Sequence, residues 1–191
     1  MNQEEPSPRV VFFLEELSAK AFLETLLPRV LPPGWTMVFV VFEGKQDMHK
    51  ELPRKLRSWM RNSDRLVILR DQDSADCSLL KSELRALCVE AGRRDVLVRI
   101  ACRQLESWYA GDWGGVARAF GRPTLARLDR KAKYRDPDSL GNPFDEIRRE
   151  LPVFQKVSGG RQMGRFISLT GSRSASFDVF LRGLDRFTRL D

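Results

Sequence analysis

The sequence predicts an α/β fold with a mostly parallel sheet flanked by helices, on three observations. Four apolar runs of strand length, over residues 9–15, 36–42, 65–70 and 96–102, are nearly continuous, as in strands covered on both faces. Segments with helical spacing of apolar residues alternate with them, as in βαβ units. The 191 residues and the hydrophobic fraction of 42% suffice for a packed core.

The connections between these runs have helical spacing and recognisable ends. Ser18 is predicted to cap a helix over residues 19–27, and a second helix is predicted over 48–60. A third helix, over 78–91, is predicted to end at Gly92, which suits a C-terminal cap. Since crossovers between parallel strands are right-handed, the helices should cover both faces of the sheet.

After Asp112 the alternation weakens, so we divide the chain into two parts. Residues 1–112 are predicted to form the α/β core, and residues 113–191 a basic C-terminal extension packed on it. The extension is predicted to contain a helix, a charged excursion, a short helix, a Gly-rich irregular segment and an amphipathic last helix, over 113–120, 121–145, 144–151, 157–170 and 176–190.

The positive charge is unevenly distributed along the chain. Residues 1–112 contain 17 Lys/Arg and 17 Asp/Glu, whereas residues 113–191 contain 16 Lys/Arg and 9 Asp/Glu and so carry the whole net charge of +7. Such asymmetry favours a surface that binds nucleic acid. The alternative is an arginine-rich solvated surface without a ligand.

The histidine and cysteine content excludes several kinds of site. His49 is the only histidine, so HExxH and multi-histidine metal sites cannot form, and a Ser-His-Asp triad would depend on this predicted surface residue. Cys77, Cys88 and Cys102 form no CxxC motif, which indicates reduced thiols in a cytoplasmic protein. No apolar run approaches the roughly 20 residues that span a membrane, and the acidic start is not a secretory signal.

Acidic residues follow three of the predicted strands. Glu15 and Glu16 follow the first, Asp71 and Asp73 the third, and Glu106 the fourth. Ligands of open α/β sheets bind at the carboxyl ends of the strands, so these carboxylates are expected to converge. Grouped carboxylates repel one another unless a cation lies among them, and hard oxygen ligands suit Mg²⁺ or Mn²⁺. We therefore expect metal-dependent chemistry on phosphate.

The acidic residues differ in how strongly they indicate a metal. Asp71 and Asp73 would face one site if the backbone stays extended, although Asp73 or Asp76 could instead cap the third helix. Glu15 is favoured over Glu16, which would point to the opposite face of a continuing strand. Both, like Glu106, could also be acids placed at the N-terminus of a helix.

Basic residues near the strand ends and in Gly/Ser-rich segments are candidates for binding phosphate. Lys45 follows the second strand and Arg103 the fourth, although the position of Lys45 favours a solvated loop lysine without a ligand over a phosphate contact. Lys156, Arg161 and Arg173 lie in or beside Gly/Ser-rich segments whose backbone amides could also contact phosphate. The sequence contains neither a Walker A motif nor GxGxxG.

Segments along nearly the whole chain carry a family resemblance. They are FLEELS (13–18), FEGKQD (42–47), VILRDQD (67–73) with Asp76 and Cys77, VRIACR (98–103), LESWY (105–109), RDPD (135–138), QKVSG (155–159) and RSASF (173–177). They resemble a bacterial family, the domain of unknown function four-two-seven-six. The strand-Glu and strand-DxD arrangement also resembles the Toprim fold of topoisomerases, primases and OLD-family nucleases.

The resemblance implies a Toprim-like fold, Mg²⁺-dependent phosphodiester chemistry and an ABC-type ATPase partner in anti-phage defence. It gives Glu15 the role of the first-strand glutamate, Asp71 and Asp73 the DxD role, and Glu106 the role of a later glutamate. One departure is that Ala19 stands where many Toprim nucleases have a second glutamate. Glu16, likewise, stands where glycine is usual.

Three functions are compatible with these residues. The leading one is a nuclease or nuclease subunit, with Glu15, Asp71, Asp73 and Glu106 holding metal and Lys45 assisting catalysis. The alternative is a non-catalytic partner or sensor module that binds an ATPase, a phage protein or nucleic acid. A third is an enzyme of nucleotides or other small phosphates, which would have a closed pocket over the strand ends.

Overall fold

The computed structural model describes residues 7–189 and has a four-stranded parallel sheet in these residues. The strands are β1 (Arg9–Leu14), β2 (Thr36–Val41), β3 (Arg65–Asp71) and β4 (Val96–Ala101). Their order across the sheet is β2-β1-β3-β4, and every neighbouring pair is parallel. This confirms the predicted α/β class, and each strand lies within one residue of its predicted bounds.

Helices surround the sheet, and four short 3-10 segments complete the described elements. The α-helices are α1 (Leu17–Leu26), α2 (Lys45–Arg57), α3 (Cys77–Glu90), α4 (Leu105–Ala110), α5 (Trp113–Ala119), α6 (Pro143–Glu150), α7 (Lys156–Phe166) and α8 (Ala175–Thr188). The 3-10 segments are Leu27–Arg29, Pro123–Arg130, Ala132–Tyr134 and Pro137–Ser139. The charged excursion therefore consists largely of 3-10 turns.

The two faces of the sheet are buried under different parts of the chain. Val11 and Phe13 of β1 point into a cluster formed with α2 and α3. Val10, Phe12 and Leu14 alternate with them and point into a larger cluster formed with α1 and helices after residue 104. The larger cluster is therefore built by residues from both the first and the last parts of the chain.

The Gly-rich segment after residue 156 is a helix, so the expected irregular structure there was wrong. A Cβ on Gly164 would overlap the Phe22 carbonyl oxygen, and one on Gly160 would lie 3.0 Å from the Ser18 carbonyl oxygen. The glycines of α7 thus allow its backbone to lie directly against α1. This close approach, which is a tertiary requirement, explains glycines that otherwise disfavour a helix.

Three helix starts also differ from those expected, and the second helix, α2, begins at Lys45 instead of residue 48. Helix α1 begins after Glu16 instead of Ser18, and Glu16 makes no side-chain capping bond. Helix α3 begins after Asp76, whose Oδ1 accepts a hydrogen bond from the Leu79 amide at 2.9 Å. Asp76, not Asp73, is therefore the cap, which leaves Asp73 available to the strand-end loop.

A polar network ties the charged excursion to the sheet. Asp138 accepts hydrogen bonds from the Ser174 hydroxyl at 2.6 Å and from the Ser176 amide at 2.7 Å. The Ser176 hydroxyl in turn accepts bonds from the Trp108 indole at 2.8 Å and the Cys102 amide at 3.3 Å. The start of α8 is thus fixed to the end of β4.

Among the described residues, no helix is both long and apolar enough to cross a membrane.

The α1–α7 contact predicts the effect of adding one methyl group. Gly164→Ala should lower the free energy of unfolding by about 1–3 kcal/mol, because the new Cβ must displace backbone of α1. Gly141→Ala is the control, since a Cβ there would meet nothing within 4 Å. Urea unfolding of both variants measures the difference. Equal stability of the two variants would contradict the close helix contact.

Candidate active site

The sheet has a topological switch point beside β1. The chain passes from β1 to β2 on one side and then to β3 on the other. In such sheets a crevice opens at the carboxyl ends of the two strands where the direction reverses. Leu14 of β1 pairs with Leu69 of β3, so Glu15 and Asp71, just beyond this pair, lie at the crevice. The sheet topology therefore brings two predicted site residues together.

Backbone hydrogen bonds hold the loops at this edge against one another. The Gly44 amide donates to the Glu15 carbonyl at 3.1 Å, which joins the loops after β1 and β2. The Asp73 amide donates to the Arg103 carbonyl at 2.8 Å, which joins the loops after β3 and β4. All four strand ends thus contribute to one supported surface.

Four carboxylates influence one another at this surface, and we call Glu15, Glu16, Asp71 and Glu106 the acidic cluster. Burial, and then the charges of Glu106, Glu15 and Glu16, raise the pKa of Asp71 well above its ordinary value. Asp71 keeps some exposed area although protein surrounds it densely, as expected at the floor of a narrow cleft. The carboxylates that follow the three strand ends are therefore close enough for Glu15 and Glu106 to affect the ionisation of Asp71.

The other members of the acidic cluster are also harder to ionise than usual or are paired. Glu106, in the first turn of α4, is 2% exposed, and burial raises its pKa to about 7 despite the opposing charge of Lys156. Burial likewise raises the pKa of Glu15, which Arg70 partly offsets. A cation among these groups would relieve the cost of their charges.

Two basic side chains already pair with members of the acidic cluster. The Lys156 Nζ is 3.1 Å from Glu16, and the Arg70 Nε is 3.5 Å from Glu15. Burial alone would lower the pKa of Lys156, but the charges of Glu106 and Glu16 outweigh it and raise that pKa. The site is therefore a mixed-charge cleft, in which acids from the strand ends are partly neutralised.

The Asp71-Gln72-Asp73 motif does not stay extended. Strand β3 ends at Asp71, and Asp73 adopts a left-handed backbone with φ of 54°. The Asp73 carboxylate lies 3.6 Å from the Lys45 Nζ, and its charge acts on Glu15. Asp71 thus joins Glu106 and Glu16, whereas Asp73 lies at the Lys45 side of the same cleft.

Three buried polar atoms next to the acidic cluster make no hydrogen bond within the described residues. Glu15 Oε2 and Arg70 Nε face each other as an ion pair at 3.5 Å, whereas the Tyr109 hydroxyl has no polar partner. Burial, followed by the charges of Glu106, Asp71 and Glu16, raises the pKa of Tyr109. Since buried polar groups are normally satisfied, the Tyr109 hydroxyl indicates a place for water, an ion or a substrate oxygen.

The cleft fits a divalent cation in its donors but not in its present arrangement. Its ligands would all be carboxylate oxygens, the kind that Mg²⁺ and Mn²⁺ prefer, and the Glu15 Oε2 has only the ion pair with Arg70 and no hydrogen bond within residues 7–189. Across residues 7–189, however, no three His, Cys, Asp or Glu side chains are grouped closely enough to hold an ion. Binding therefore requires side chains of the acidic cluster to turn from their ion pairs.

The other basic candidates are distributed more widely. Lys156 lies at the cleft, and Arg103 follows β4 with its backbone tied to Asp73. Arg161 instead pairs with Glu24 at 3.4 Å, and Arg173 with Asp129 at 3.3 Å. The contacts of these two arginines connect neither of them with the acidic cluster.

Sequence reasoning missed three features of the cleft. Glu16 is paired with Lys156, although Glu15 was preferred to it, because α1 begins immediately after Glu16 and the strand does not continue. Arg70 faces Glu15 as a consequence of strand order, which the sequence does not state. Tyr109 was noted only as part of a motif, yet the motif's place after Glu106 was a usable signal.

Comparisons with known proteins agree with this architecture. A family model described as a domain of unknown function, DUF4276, matches residues 14–185. A solved structure of the C-terminal region of the Burkholderia pseudomallei OLD protein has a TM-score of 0.50, with 17% identity over 94% of this chain and 98% of that chain. No curated protein matches the sequence. The structural likeness confirms the fold expected from OLD-family Toprim domains, and at this identity it shows the fold alone.

The raised pKa of Glu106 predicts how stability depends on pH. Because the folded state favours the protonated carboxyl, wild-type stability should fall as pH rises from about 4.5 through about 7. Glu106→Gln should remove the part of this fall that Glu106 causes and raise the unfolding free energy at pH 8 by up to about 3 kcal/mol in metal-free buffer, while Glu15 and Asp71 still contribute to the fall. Below pH 4.5 the difference should vanish.

Urea unfolding across this pH range measures the effect. Glu83→Gln is the control, since Glu83 is exposed on α3. Its curve should run parallel to that of the wild type. If the Glu106→Gln curve also runs parallel to the wild type, the assigned pKa is wrong.

Proposed function

The chain belongs to the DUF4276 family, and we propose that it is a metal-dependent nuclease, or nuclease subunit, that hydrolyses nucleic-acid phosphodiesters. One observation carries the proposal: Glu15, Asp71 and Glu106 follow three strand ends at one edge of the sheet, and burial raises the pKa of each. Such a cluster is costly without a cation, and enzymes gather strained ionisable groups at reactive sites.

Glu15, Asp71 and Glu106 would hold Mg²⁺ or Mn²⁺, with Asp73 contributing from the opposite side of the cleft. The bound ion would polarise a phosphodiester and lower the pKa of a water molecule. Both effects favour attack on phosphorus, and neither requires a histidine. The oxygen-only donor set supports this choice of ion.

The lysines of the cleft supply positive charge that can be transferred to phosphate. Lys45 is half-exposed and only 3.6 Å from Asp73, so its amine can leave this weak pair and approach a phosphate oxygen. Lys156 lies deeper and is held by Glu16 and Glu106. In this proposal Lys156 therefore orients Glu16 and Glu106. Arg103 lies in the neighbouring loop after β4.

Glu106 is also suited to proton transfer. A carboxyl whose pKa is about 7 exists in both protonation states near neutral pH, as a general acid or base requires. Its neighbour Tyr109 has a buried, unpartnered hydroxyl. In a metal-loaded cleft the same residue would instead be ionised and act as a ligand, so these two roles exclude each other at one time.

An ABC-type ATPase partner and a role in anti-phage defence belong to the same proposal. They rest on the resemblance to OLD-family proteins, and the match to the C-terminal region of one OLD protein supports them at the level of the fold. Assays for activity therefore need both the isolated protein and its mixture with an ATPase encoded beside it.

A non-catalytic partner or sensor module is the second candidate, and specific contacts favour it. Arg70, Lys156 and Lys45 already pair with Glu15, Glu16 and Asp73. Ala19 lines the cleft where a further carboxylate would complete a metal site. A cleft neutralised by its own lysines and arginine can be stable without a metal, and could present a fixed surface to a partner.

Metal binding discriminates between these two functions. Millimolar Mg²⁺ or Mn²⁺ should raise the melting temperature of the wild type, because the ion relieves repulsion within the acidic cluster. Asp71→Asn should weaken this binding by about tenfold or more, since it removes the carboxylate at the floor of the cleft. Glu83→Gln should bind as the wild type does. No metal-dependent shift in the wild type would favour the non-catalytic module.

Cleavage assays test the chemistry itself. Wild type with Mg²⁺ or Mn²⁺, alone or with the ATPase, should cleave DNA or RNA, and Asp71→Asn should be slower by about a hundredfold or more. Glu83→Gln should retain full activity. Equal behaviour of wild type and Asp71→Asn in both settings refutes the nuclease. Hydrolysis of nucleotides without any cleavage of nucleic acid would indicate a small-phosphate enzyme.

A further inference from the structure

A second charged surface lies at the outer edge of the sheet, away from the switch point. Strand β4 is the edge strand, and a groove of about 430 Å³ separates it from α8. We call this the β4-edge groove, lined by Leu97, Arg99, Val179, Arg182, Gly183, Arg186 and Phe187. Lys81 and Arg85 of α3 add their charges beside Arg99. Three basic side chains from two elements, Arg99, Arg182 and Arg186, thus line one open groove, and the charges of Lys81 and Arg85 act on Arg99 from α3.

Arg99 is built into this groove by a glycine. A Cβ on Gly183 would lie only 2.5 Å from the Arg99 Nε and 2.6 Å from its Cζ, so the guanidinium occupies the space of the missing side chain. Arg99 Nη1 donates to the Val98 carbonyl at 3.0 Å, whereas the buried Nε has no hydrogen-bond partner among residues 7–189. The Arg99 guanidinium is therefore held in a fixed position, but its Nε makes no hydrogen bond within residues 7–189.

The positive charges of the groove lack acidic partners. Within the described chain, no carboxylate lies within ion-pair distance of Lys81, Arg85, Arg99, Arg182 or Arg186. Burial, and then the charges of Arg85 and Arg186, lower the pKa of Arg99. Burial, and then Arg99 and Arg85, lower the pKa of Lys81. Like charges held together in this way are stabilised by an anionic ligand.

We propose that the β4-edge groove binds the phosphate backbone of nucleic acid. The groove is open, and its lining charges come from Arg99 of β4 and from Arg182 and Arg186 on successive turns of α8, a spread that suits an extended anion better than a single small one. Exposed Val179 and half-buried Phe187 lie between them and can contact sugars or bases. The choice of nucleic acid rests on the proposed function, for which the groove would hold substrate.

This surface differs from the one that charge composition indicated. Arg182 and Arg186 come from the basic C-terminal part, but Lys81, Arg85 and Arg99 belong to residues 1–112, where basic and acidic residues cancel. Only folding separates these three from the acids that balance them in the sequence. The groove also contains none of Lys156, Arg161 and Arg173.

Binding of fluorescein-labelled DNA and RNA oligonucleotides, followed by anisotropy in EDTA, tests the groove without any catalysis. Arg182→Gln/Arg186→Gln should bind about tenfold more weakly, with a salt dependence reduced by about two phosphate contacts. Both side chains are exposed, so the fold should persist. The matched control is Arg57→Gln/Arg127→Gln, which removes the same charge from exposed positions outside the groove and should bind within about twofold of wild type.

A second variant tests whether Gly183 leaves the space that the Arg99 guanidinium occupies. Gly183→Ala should displace the guanidinium and weaken binding by about threefold to tenfold. Its melting temperature and circular dichroism identify any variant that fails to fold. Wild-type binding by both groove variants, or an equal loss in the control, overturns the inference. So does binding of ATP in the groove without binding of oligonucleotides.

The outcomes separate this inference from the nuclease. If oligonucleotides bind through the groove in EDTA but are never cleaved with Mg²⁺ or Mn²⁺, the groove stands and the catalytic proposal fails. If cleavage depends on Asp71 but groove variants bind and cleave like the wild type, the nuclease stands and the groove proposal fails.

Discussion

Repulsion among carboxylates at the ends of parallel strands is the constraint to which much of this molecule is adapted. The switch point brings Glu15 and Asp71 together whatever their charges, because Leu14 and Leu69 are paired in the sheet. Burial then makes each charge more costly. Cationic side chains pair with these and neighbouring carboxylates: Lys45 of α2, Lys156 of α7 and Arg70 of β3 itself. Grouping buried carboxylates in this way costs folding free energy, and binding of a cation would recover part of that cost.

The position of Lys156 depends on helix packing. Lys156 opens α7, and α7 can lie against α1 only because Gly160 and Gly164 leave room for its backbone. The same α1 begins directly after Glu16, the partner of Lys156. Glycine content, helix contact and cleft electrostatics are therefore linked, so a methyl group added between these helices should also disturb the charges of the cleft.

The sequence was a good guide where structure is local and a poor one where it depends on contacts between distant residues. Continuous apolar runs identified all four strands, and the rule that ligands bind at strand ends pointed to the edge of the sheet where the charges of Glu15 and Glu106 act on Asp71. The Glu16–Lys156 pair joins residues 140 positions apart, and no local pattern encodes it. The turn at Asp73 similarly escaped a rule that assumes extended backbone.

The same electrostatic argument applies to the acidic cluster, where negative charges are grouped, and to the β4-edge groove, where positive charges are grouped. In each, like charges are held by well-packed elements, and in each a buried polar atom, Glu15 Oε2 or Arg99 Nε, makes no hydrogen bond within residues 7–189. Grouping like charges costs folding free energy, and binding of an opposite charge would recover it at both places. Under the two proposals a divalent cation would bind at the first and a phosphodiester at the second. Because a nuclease binds both, one class of function accounts for two clusters that the fold alone would not require.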